Sequence, residues 1–317
     1  TIGAVKVSSF SPANGTSKVA RNSYIYVSFD QQVDHDSAQQ HFSVNPPLSG
    51  NIVWEGNQMV FQPTQLMNFQ TTYTAAVAPG VKTVYGLDSK EAFSTAFTTV
   101  SNTTIIPGFS SASFDKQDYS FSCTVAATKM ALRWKNIYLS EYDIIYNRLG
   151  ADQSSMDCTS GTCYWGNPNA MYLGYPNGSG TYGTGQSAYG VHWLPIINLF
   201  TSLGIQTELK RNWNVYGLAE TIDAGHPVQI WWWNGISNLY GNSGLGGSRI
   251  DWIDRATGQS VEAIHGMHSV LVVGFNGEVS SPTSFIVLDP WWGYNYYSIA
   301  KFNSQWPKLQ NTGLIIY

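Results

Sequence analysis

Four residues of this chain have the types and the order of a site that works through a thiol: Gln117, Cys123, His268 and Asp289. A cysteine attacks as its thiolate, and a neighbouring histidine takes up and returns the proton. A carboxylate on the far side of the imidazole orients the ring and stabilises its charged form. The chain therefore has the groups needed for acyl transfer through a covalent acyl-enzyme.

The nucleophile candidate, Cys123, begins a predicted helix. An apolar stripe with the spacing i, i+3, i+4, i+7, i+8 and i+11 consists of Cys123, Ala126, Ala127, Met130, Ala131 and Trp134. The partial positive charge of a helix N-terminus stabilises a thiolate. The alternative is a structural cysteine at the head of an apolar face, because cysteine is among the most often buried residue types.

The other candidates lie where the chain could bring them to Cys123. Gln117 precedes it by six residues, so the chain can fold back and aim the amide at a developing oxyanion. His268 begins the apolar strand of GMHSVLVVGF, and Asp289 ends the strand of FIVLDPWWG. Two adjacent strands would put both groups at neighbouring strand ends. Each also has a simpler interpretation: His268 as an exposed histidine or a ligand together with His265, and Asp289 as a turn residue before proline.

Three cysteines are an odd number, which leaves at least one free thiol unless it pairs between chains. Cys158 and Cys163 lie close together in a Gly/Ser/Thr-rich stretch, so we expect them to form a disulfide in an oxidising compartment. A zinc site with His265 and His268 is the alternative, but the H-x2-H spacing is tighter than structural zinc sites use.

Two domains are predicted, with a boundary in the polar segment SNTTIIPGFSSAS at 101–113. Residues 1–100 contain short alternating segments typical of an all-β sandwich, at 4–8, 24–29, 51–54, 59–62, 72–77 and 93–100. Residues 114–317 carry helices first, at 123–134, 194–203 and 215–224, and then strands at 228–233, 269–275, 285–288 and 314–317. This order predicts an α+β domain. The segment 151–191 shows no periodicity and is predicted to be a binding loop or disordered.

The composition favours an extracellular protein. Charged residues make up 11% of the chain, whereas aromatic residues are abundant, with 12 Trp, 19 Tyr and 14 Phe. The net charge of -4 without a basic cluster argues against a nucleic-acid partner. No apolar run reaches the roughly 20 residues of a membrane helix. The chain starts at Thr1 rather than at Met, as a processed chain would.

Several sequence motifs resemble known bacterial families. Residues 1–100 resemble the immunoglobulin-like modules of secreted and surface proteins, in the SPANG turn and the VSFDQQV and FSTAFTT strands. Residues 114–317 resemble papain-like bacterial cysteine peptidases of the bacteriocin-leader (double-glycine) group and their secreted relatives. The likeness is carried by Gln-x5-Cys before a helix, CTVAATKMAL, AGHPVQIWWW, HSVLVVGF and VLDPWW.

The resemblance implies an immunoglobulin-like β-sandwich followed by an α+β papain-like cysteine peptidase domain. It also implies a thiolate–imidazolium pair of Cys123 and His268, orientation by Asp289, and an oxyanion hole made by Gln117 and the Cys123 backbone N–H. The substrate would be a peptide, a protein or a cell-wall stem peptide, hydrolysed without a cofactor or metal. The first domain would position the enzyme or attach it to the cell surface or cell wall.

Two other functions fit the same residues. A transglutaminase-like or transpeptidase-like enzyme would pass the acyl group to an amine instead of water. A non-catalytic adhesin would use the papain-like domain as a binding scaffold, and the run Trp231–Trp233 would suit a carbohydrate or peptide platform if it were not core packing.

Overall fold

The computed structural model describes residues 4–159, 161–237 and 244–317. The chain divides into two compact units, Thr1–Asn102 and Thr103–Tyr317. The second unit begins inside the segment 101–113 that the sequence indicates as a linker. Within the described ranges, none of the helices combines the length and the apolar character of a membrane span.

The first unit is a sandwich of two antiparallel sheets, with strand orders β1-β2-β5-β4 and β3-β6-β7. Its elements are β1 (Val7–Ser11), β2 (Ile25–Phe29), α1 (His35–His41), β3 (Phe42–Asn45), β4 (Gly50–Glu55), β5 (Gln58–Pro63), β6 (Thr72–Val77) and β7 (Phe93–Thr98). Ile25 on β2 and Tyr73 and Ala75 on β6 share one apolar core, so the alternating faces of the two sheets meet there. The predicted sandwich is confirmed.

The second unit is built on a central antiparallel sheet of order β14-β21-β15-β18-β19-β20, with β8 paired to β18. Its first elements are β8 (Thr103–Ile105), α2 (Cys123–Trp134), a π-helical segment Asp143–Leu149, β9 (Ala151–Asp152), β10 (Asp157–Thr159), β11 (Thr162–Trp165), β12 (Tyr172–Gly174), β13 (Ala188–Gly190) and α3 (Trp193–Ser202). The remaining elements are β14 (Thr207–Lys210), α4 (Val215–Asp223), β15 (Val228–Trp233), β16 (Arg249–Asp254), β17 (Ser260–Ile264), β18 (Met267–Glu278), β19 (Ser281–Asp289), β20 (Gly293–Ser298), α5 (Ile299–Gln305) and β21 (Thr312–Ile316).

Helix α2 occupies the predicted residues, but it is buried on all sides. Every residue from Cys123 to Leu132 is buried, including Thr124, Thr128 and Lys129 on the side expected to face solvent. The amphipathic pattern therefore predicted the position of the helix correctly, but the expectation that its polar face contacts solvent is wrong. Its polar side chains have buried polar partners that are distant in the sequence.

The central sheet is covered on both faces, which decides the role of the tryptophan run in β15. Trp231 packs edge-on against Trp193 of α3, and Trp232 packs against Phe302 of α5. Both indoles are at most 1% exposed. These two indoles are core packing and not a binding platform, whereas Trp233 is partly exposed.

The prediction that the segment 151–191 is a binding loop or disordered is wrong. The segment contains β9 to β13 and contributes to a core of its own. Two small sheets are formed, of orders β10-β11-β16-β17 and β13-β12-β9. Trp165, Leu173 and Trp252 pack together between them. Cys158 and Cys163 are cross-strand partners on β10 and β11 and form the predicted disulfide, so their thiols are not available as zinc ligands.

Candidate active site

The Cys123 thiol lies at the N-terminus of α2 and lines a small cavity. Cys123 is 7% exposed and is the first residue of the helix. The cavity is lined by side chains from several elements, namely Gln117, Ser120, Phe121, Cys123, Tyr189, Asn234, Met267, His268 and Trp291. A reactive thiol candidate therefore stands at the positive end of a helix, in a cleft between α2 and the central sheet.

His268 lies between Cys123 and Asp289. Its Nε2 is 2.8 Å from Oδ1 of Asp289, which ends β19, and a hydrogen bond connects its side chain to that of Cys123. Since Nε2 faces the carboxylate, Nδ1 is the ring nitrogen left for the thiol. His268 is 2% exposed and Asp289 is fully buried. Three residues singled out in the sequence are thus brought into one hydrogen-bonded series.

The electrostatics of this series favour a protonated imidazole. Burial of the ring opposes protonation, but the Asp289 carboxylate and the Cys123 side chain outweigh it and raise the pKa of His268 to about 10. Burial would raise the pKa of Asp289, but His268 and the other donors outweigh it and lower that pKa. The arrangement therefore favours an imidazolium beside the Asp289 carboxylate at neutral pH.

Asp289 is held by donors that the sequence analysis did not single out. Its Oδ1 also accepts hydrogen bonds from the backbone N–H groups of Trp291 (2.9 Å) and Trp292 (3.3 Å), and its Oδ2 accepts one from the Tyr297 hydroxyl (2.8 Å). The Trp292 ring lies edge-on to His268, with ring centroids 5.6 Å apart. The two tryptophans directly follow the Asp-Pro dipeptide, so the sequence motif Asp-Pro-Trp-Trp could have indicated these donors.

Gln117 lines the same cavity, but its amide nitrogen is engaged. Nε2 donates to the backbone carbonyls of Tyr119 (2.6 Å) and Ser120 (3.0 Å). Its Oε1 is buried without a hydrogen-bond partner among the described residues. The Gln117 backbone N–H donates to the carbonyl of Pro290, which ties this segment to the chain after Asp289.

A buried ion-pair cluster holds the segment between Gln117 and Cys123. Glu141 is fully buried; its Oε1 is 2.7 Å from Nζ of Lys129, and its Oε2 accepts from the Ser122 hydroxyl at 2.5 Å. The Asp118 N–H donates to both oxygens, at 3.1 Å each. One carboxylate from outside the helix therefore fixes both ends of the turn that precedes the thiol.

His265 does not line the Cys123 cavity. It follows β17 and lines a second small cavity with Gly180 and Gln186, which adjoins the first and shares Phe121, Tyr189 and Met267 with it. Burial lowers its pKa, against a hydrogen bond with the Gly180 backbone that raises it. The structure therefore brings His268, and not His265, to Cys123.

Comparisons with known proteins agree with this division of the chain. The model of the family described as bacterial Ig-like domain matches residues 2–99, and that of the Peptidase_C39 like family matches residues 107–314. Bacterial Ig-like domains are typical of extracellular bacterial proteins. No curated protein matches the chain.

Among solved structures, the chain is similar to a candidate C39-like peptidase from Bacillus anthracis, with 18% identity, a TM-score of 0.49, and coverage of 68% of this chain and 97% of that one. It is also similar to an L,D-transpeptidase from Mycobacterium smegmatis (21% identity, TM-score 0.25), covering 32% of this chain and 42% of that one. The TM-scores lie below 0.5, so the assignment rests on the family models. The second of these models spans more than half of the residues, and the chain therefore belongs to the Peptidase_C39 like family and carries a bacterial Ig-like domain before its peptidase-like unit.

Proposed function

We propose that this protein is a papain-like cysteine peptidase that hydrolyses peptide or isopeptide bonds through Cys123, His268 and Asp289. The observation that carries the proposal is the position of His268, which is hydrogen-bonded to a buried carboxylate on one side and to a thiol at a helix N-terminus on the other. A structural cysteine needs no such partner, whereas a thiol nucleophile needs an oriented base.

The proposed reaction has two steps. In the first, the Cys123 thiolate attacks the carbonyl carbon of the scissile bond, and the His268 imidazolium gives its proton to the departing amine, which leaves an acyl-enzyme. In the second, neutral His268 takes a proton from water as the water attacks the acyl group, and the thiolate is released. Asp289 keeps the ring oriented and stabilises its charge throughout.

The oxyanion of each tetrahedral intermediate would be stabilised by the Cys123 backbone N–H, since the first N–H groups of a helix have no intrahelical partner. Gln117 is the proposed second donor. Its amide would have to release one of the Tyr119 and Ser120 carbonyls to reach the oxyanion, so substrate binding must rearrange this side chain.

We infer a peptide or protein substrate and an extracellular site of action, in agreement with the peptidase-like family and the bacterial Ig-like domain. The first unit would serve to position the enzyme or to attach it to the cell surface or wall. None of the proposed catalytic residues lies in it.

A peptide cleavage profile tests the proposed function. Incubation of a complex peptide library with the wild-type protein should produce new termini, which the Cys123→Ala variant should not produce. A labelled amine added to the same reaction separates the two acyl acceptors, because hydrolysis gives free carboxyl termini and aminolysis gives labelled ones. Identical peptide profiles for the wild type and the variant would rule out a thiol peptidase.

The pH dependence of the reaction should report the charge of Asp289. Because this carboxylate raises the pKa of His268, the imidazolium of Asp289→Asn should lose its proton at a lower pH. The alkaline limb of the kcat/KM profile should therefore move to lower pH in the variant, with a smaller loss at neutral pH than in His268→Ala. An Asn amide can still accept from the ring through its oxygen and donate to the Tyr297 hydroxyl. An alkaline limb at the wild-type position would show that Asp289 does not stabilise the working imidazolium.

A further inference from the structure

Gln229 is a fully buried amide in the centre of β15, and it faces α2. It lies in the core of the second unit, where β15 runs between β21 and β18. A buried amide costs free energy unless its groups are hydrogen-bonded, and an apolar residue of similar size would fill the same space. The hydrogen bonds of the Gln229 amide therefore indicate why a polar residue occupies this core position.

All of its polar groups are used, and the partners belong to two different elements. Nε2 donates to the backbone carbonyl of Thr124 (2.9 Å) on α2 and to the hydroxyl of Ser269 (3.1 Å) on β18. Oε1 accepts from the hydroxyl of Thr128 (3.0 Å), one helical turn further along α2. A single side chain thus connects the helix of the nucleophile to the strand of the base.

The two donor contacts fall directly beside the reacting residues. Thr124 follows Cys123 in the chain, and Ser269 follows His268. Each anchored residue is joined to its reacting neighbour by one rigid peptide bond, so fixing the Thr124 carbonyl and the Ser269 hydroxyl restricts where the thiol and the imidazole can lie relative to each other. The Ser269 hydroxyl in turn donates to the backbone carbonyl of Ile230 (2.9 Å), so the connection is anchored in β15.

The partners of Gln229 would remain bonded without it. The Thr128 hydroxyl is also 2.8 Å from the Thr124 carbonyl, and Ser269 keeps its acceptor on Ile230. Replacement by Met, which is apolar and of similar length, therefore creates no orphaned hydroxyl. Gln229→Met therefore removes the hydrogen-bonded connection between α2 and β18 and leaves the other hydrogen bonds of these partners in place.

We propose that Gln229 is a positioning residue that sets the spacing between Cys123 and His268 by joining α2 to β18. This inference rests on the proposed function, because it concerns the geometry of that thiol and that imidazole. Gln229 does not touch the reacting atoms and acts through Thr124 and Ser269.

The test is the pH profile of Cys123 alkylation by iodoacetamide in the full-length Gln229→Met variant, together with kcat and KM on a peptide found to be cleaved. A thiol paired with an imidazolium reacts at neutral pH, whereas an unpaired thiol reacts in the alkaline range. We expect neutral alkylation and kcat to fall by roughly 10- to 100-fold, with KM little changed, because small misplacements of reacting groups have effects of this size. Val228→Ala is the matched control, since it removes packing from the same buried strand without a polar contact, and it should keep the wild-type pH profile even if it lowers the Tm.

A wild-type profile and kcat in folded Gln229→Met would overturn the inference and make Gln229 a packing residue. If that variant does not fold, Ser269→Ala removes the contact of Gln229 with β18 and keeps its contacts with α2, although it also removes the hydrogen bond from Ser269 to the Ile230 carbonyl. It must shift the profile in the same direction, and an unshifted profile overturns the inference equally. Alkylation of the wild type in the alkaline range only would instead refute the thiolate–imidazolium pair, and the proposed function would fail with it.

Discussion

Replacing His268 with Ala is expected to lower kcat/KM for peptide cleavage by roughly 10⁴-fold or more, as the loss of one member of a catalytic triad does. Without the imidazole, no group accepts the thiol proton or protonates the departing amine. The second histidine three residues earlier gives a direct comparison, because His265 is equally buried but lines a different cavity. His265→Ala should change kcat/KM little.

Both variants should first be shown to be folded, by their Tm and by near-UV circular dichroism. The rate of Cys123 alkylation at neutral pH gives a second readout that needs no substrate. It should fall in His268→Ala and stay at the wild-type value in His265→Ala. The reverse pattern, with an active His268→Ala and an inactive His265→Ala, would overturn the assignment of the base.

The second large effect is expected on stability. Glu141→Ala leaves the buried Lys129 without its nearest counter-ion, and it leaves the Ser122 hydroxyl and the Asp118 N–H without their shared acceptor. Breaking a buried ion pair costs about 3–5 kcal/mol when the remaining charge is left uncompensated. Asp115, 3.1 Å from Lys129, would still offset part of that charge, so we expect the free energy of unfolding of the second unit to fall by up to about that amount.

Tryptophan fluorescence during urea unfolding measures this change selectively, since eleven of the twelve tryptophans lie after Asn102. Glu262→Ala is the control. Glu262 pairs with Arg249 at 2.5 Å, but both side chains are more than half exposed, and such surface pairs contribute about 0–1 kcal/mol. A loss in Glu141→Ala no larger than in Glu262→Ala would mean that the cluster does not hold the Gln117–Cys123 segment in place.

The order of elements in both units could be predicted from local patterns. Strands β2 and β6 alternate cleanly, and α2 and β15 have strong apolar periodicity, so their positions were recognised within a few residues. The segment 151–191 could not be predicted in this way. Its strands are two to four residues long, and β11 pairs with β16, some ninety residues later, which no local pattern records.

The candidate site shows the same limit. Cys123, His268 and Asp289 were singled out because each lies at the end of a recognisable helix or strand. Glu141 lies just before the π-helical segment, and Gln229 lies within the central strand β15. Their burial depends on partners from other parts of the fold, and a pattern along the chain cannot indicate those partners.

The short strand β8 has a consequence for any fragment of this protein. It pairs with Gly274–Asn276 on the side of β18 opposite to β19. The two strands are in close contact there, because a Cβ atom added at Gly274 would lie 2.5 Å from the Thr104 carbonyl oxygen. A fragment that starts after Ile105 would contain every proposed catalytic residue but would leave these backbone groups of β18 unpaired. Exposed strand edges recruit strands from other molecules. The smallest soluble form of the second unit should therefore begin at or before Thr103, and shorter fragments should aggregate through β18.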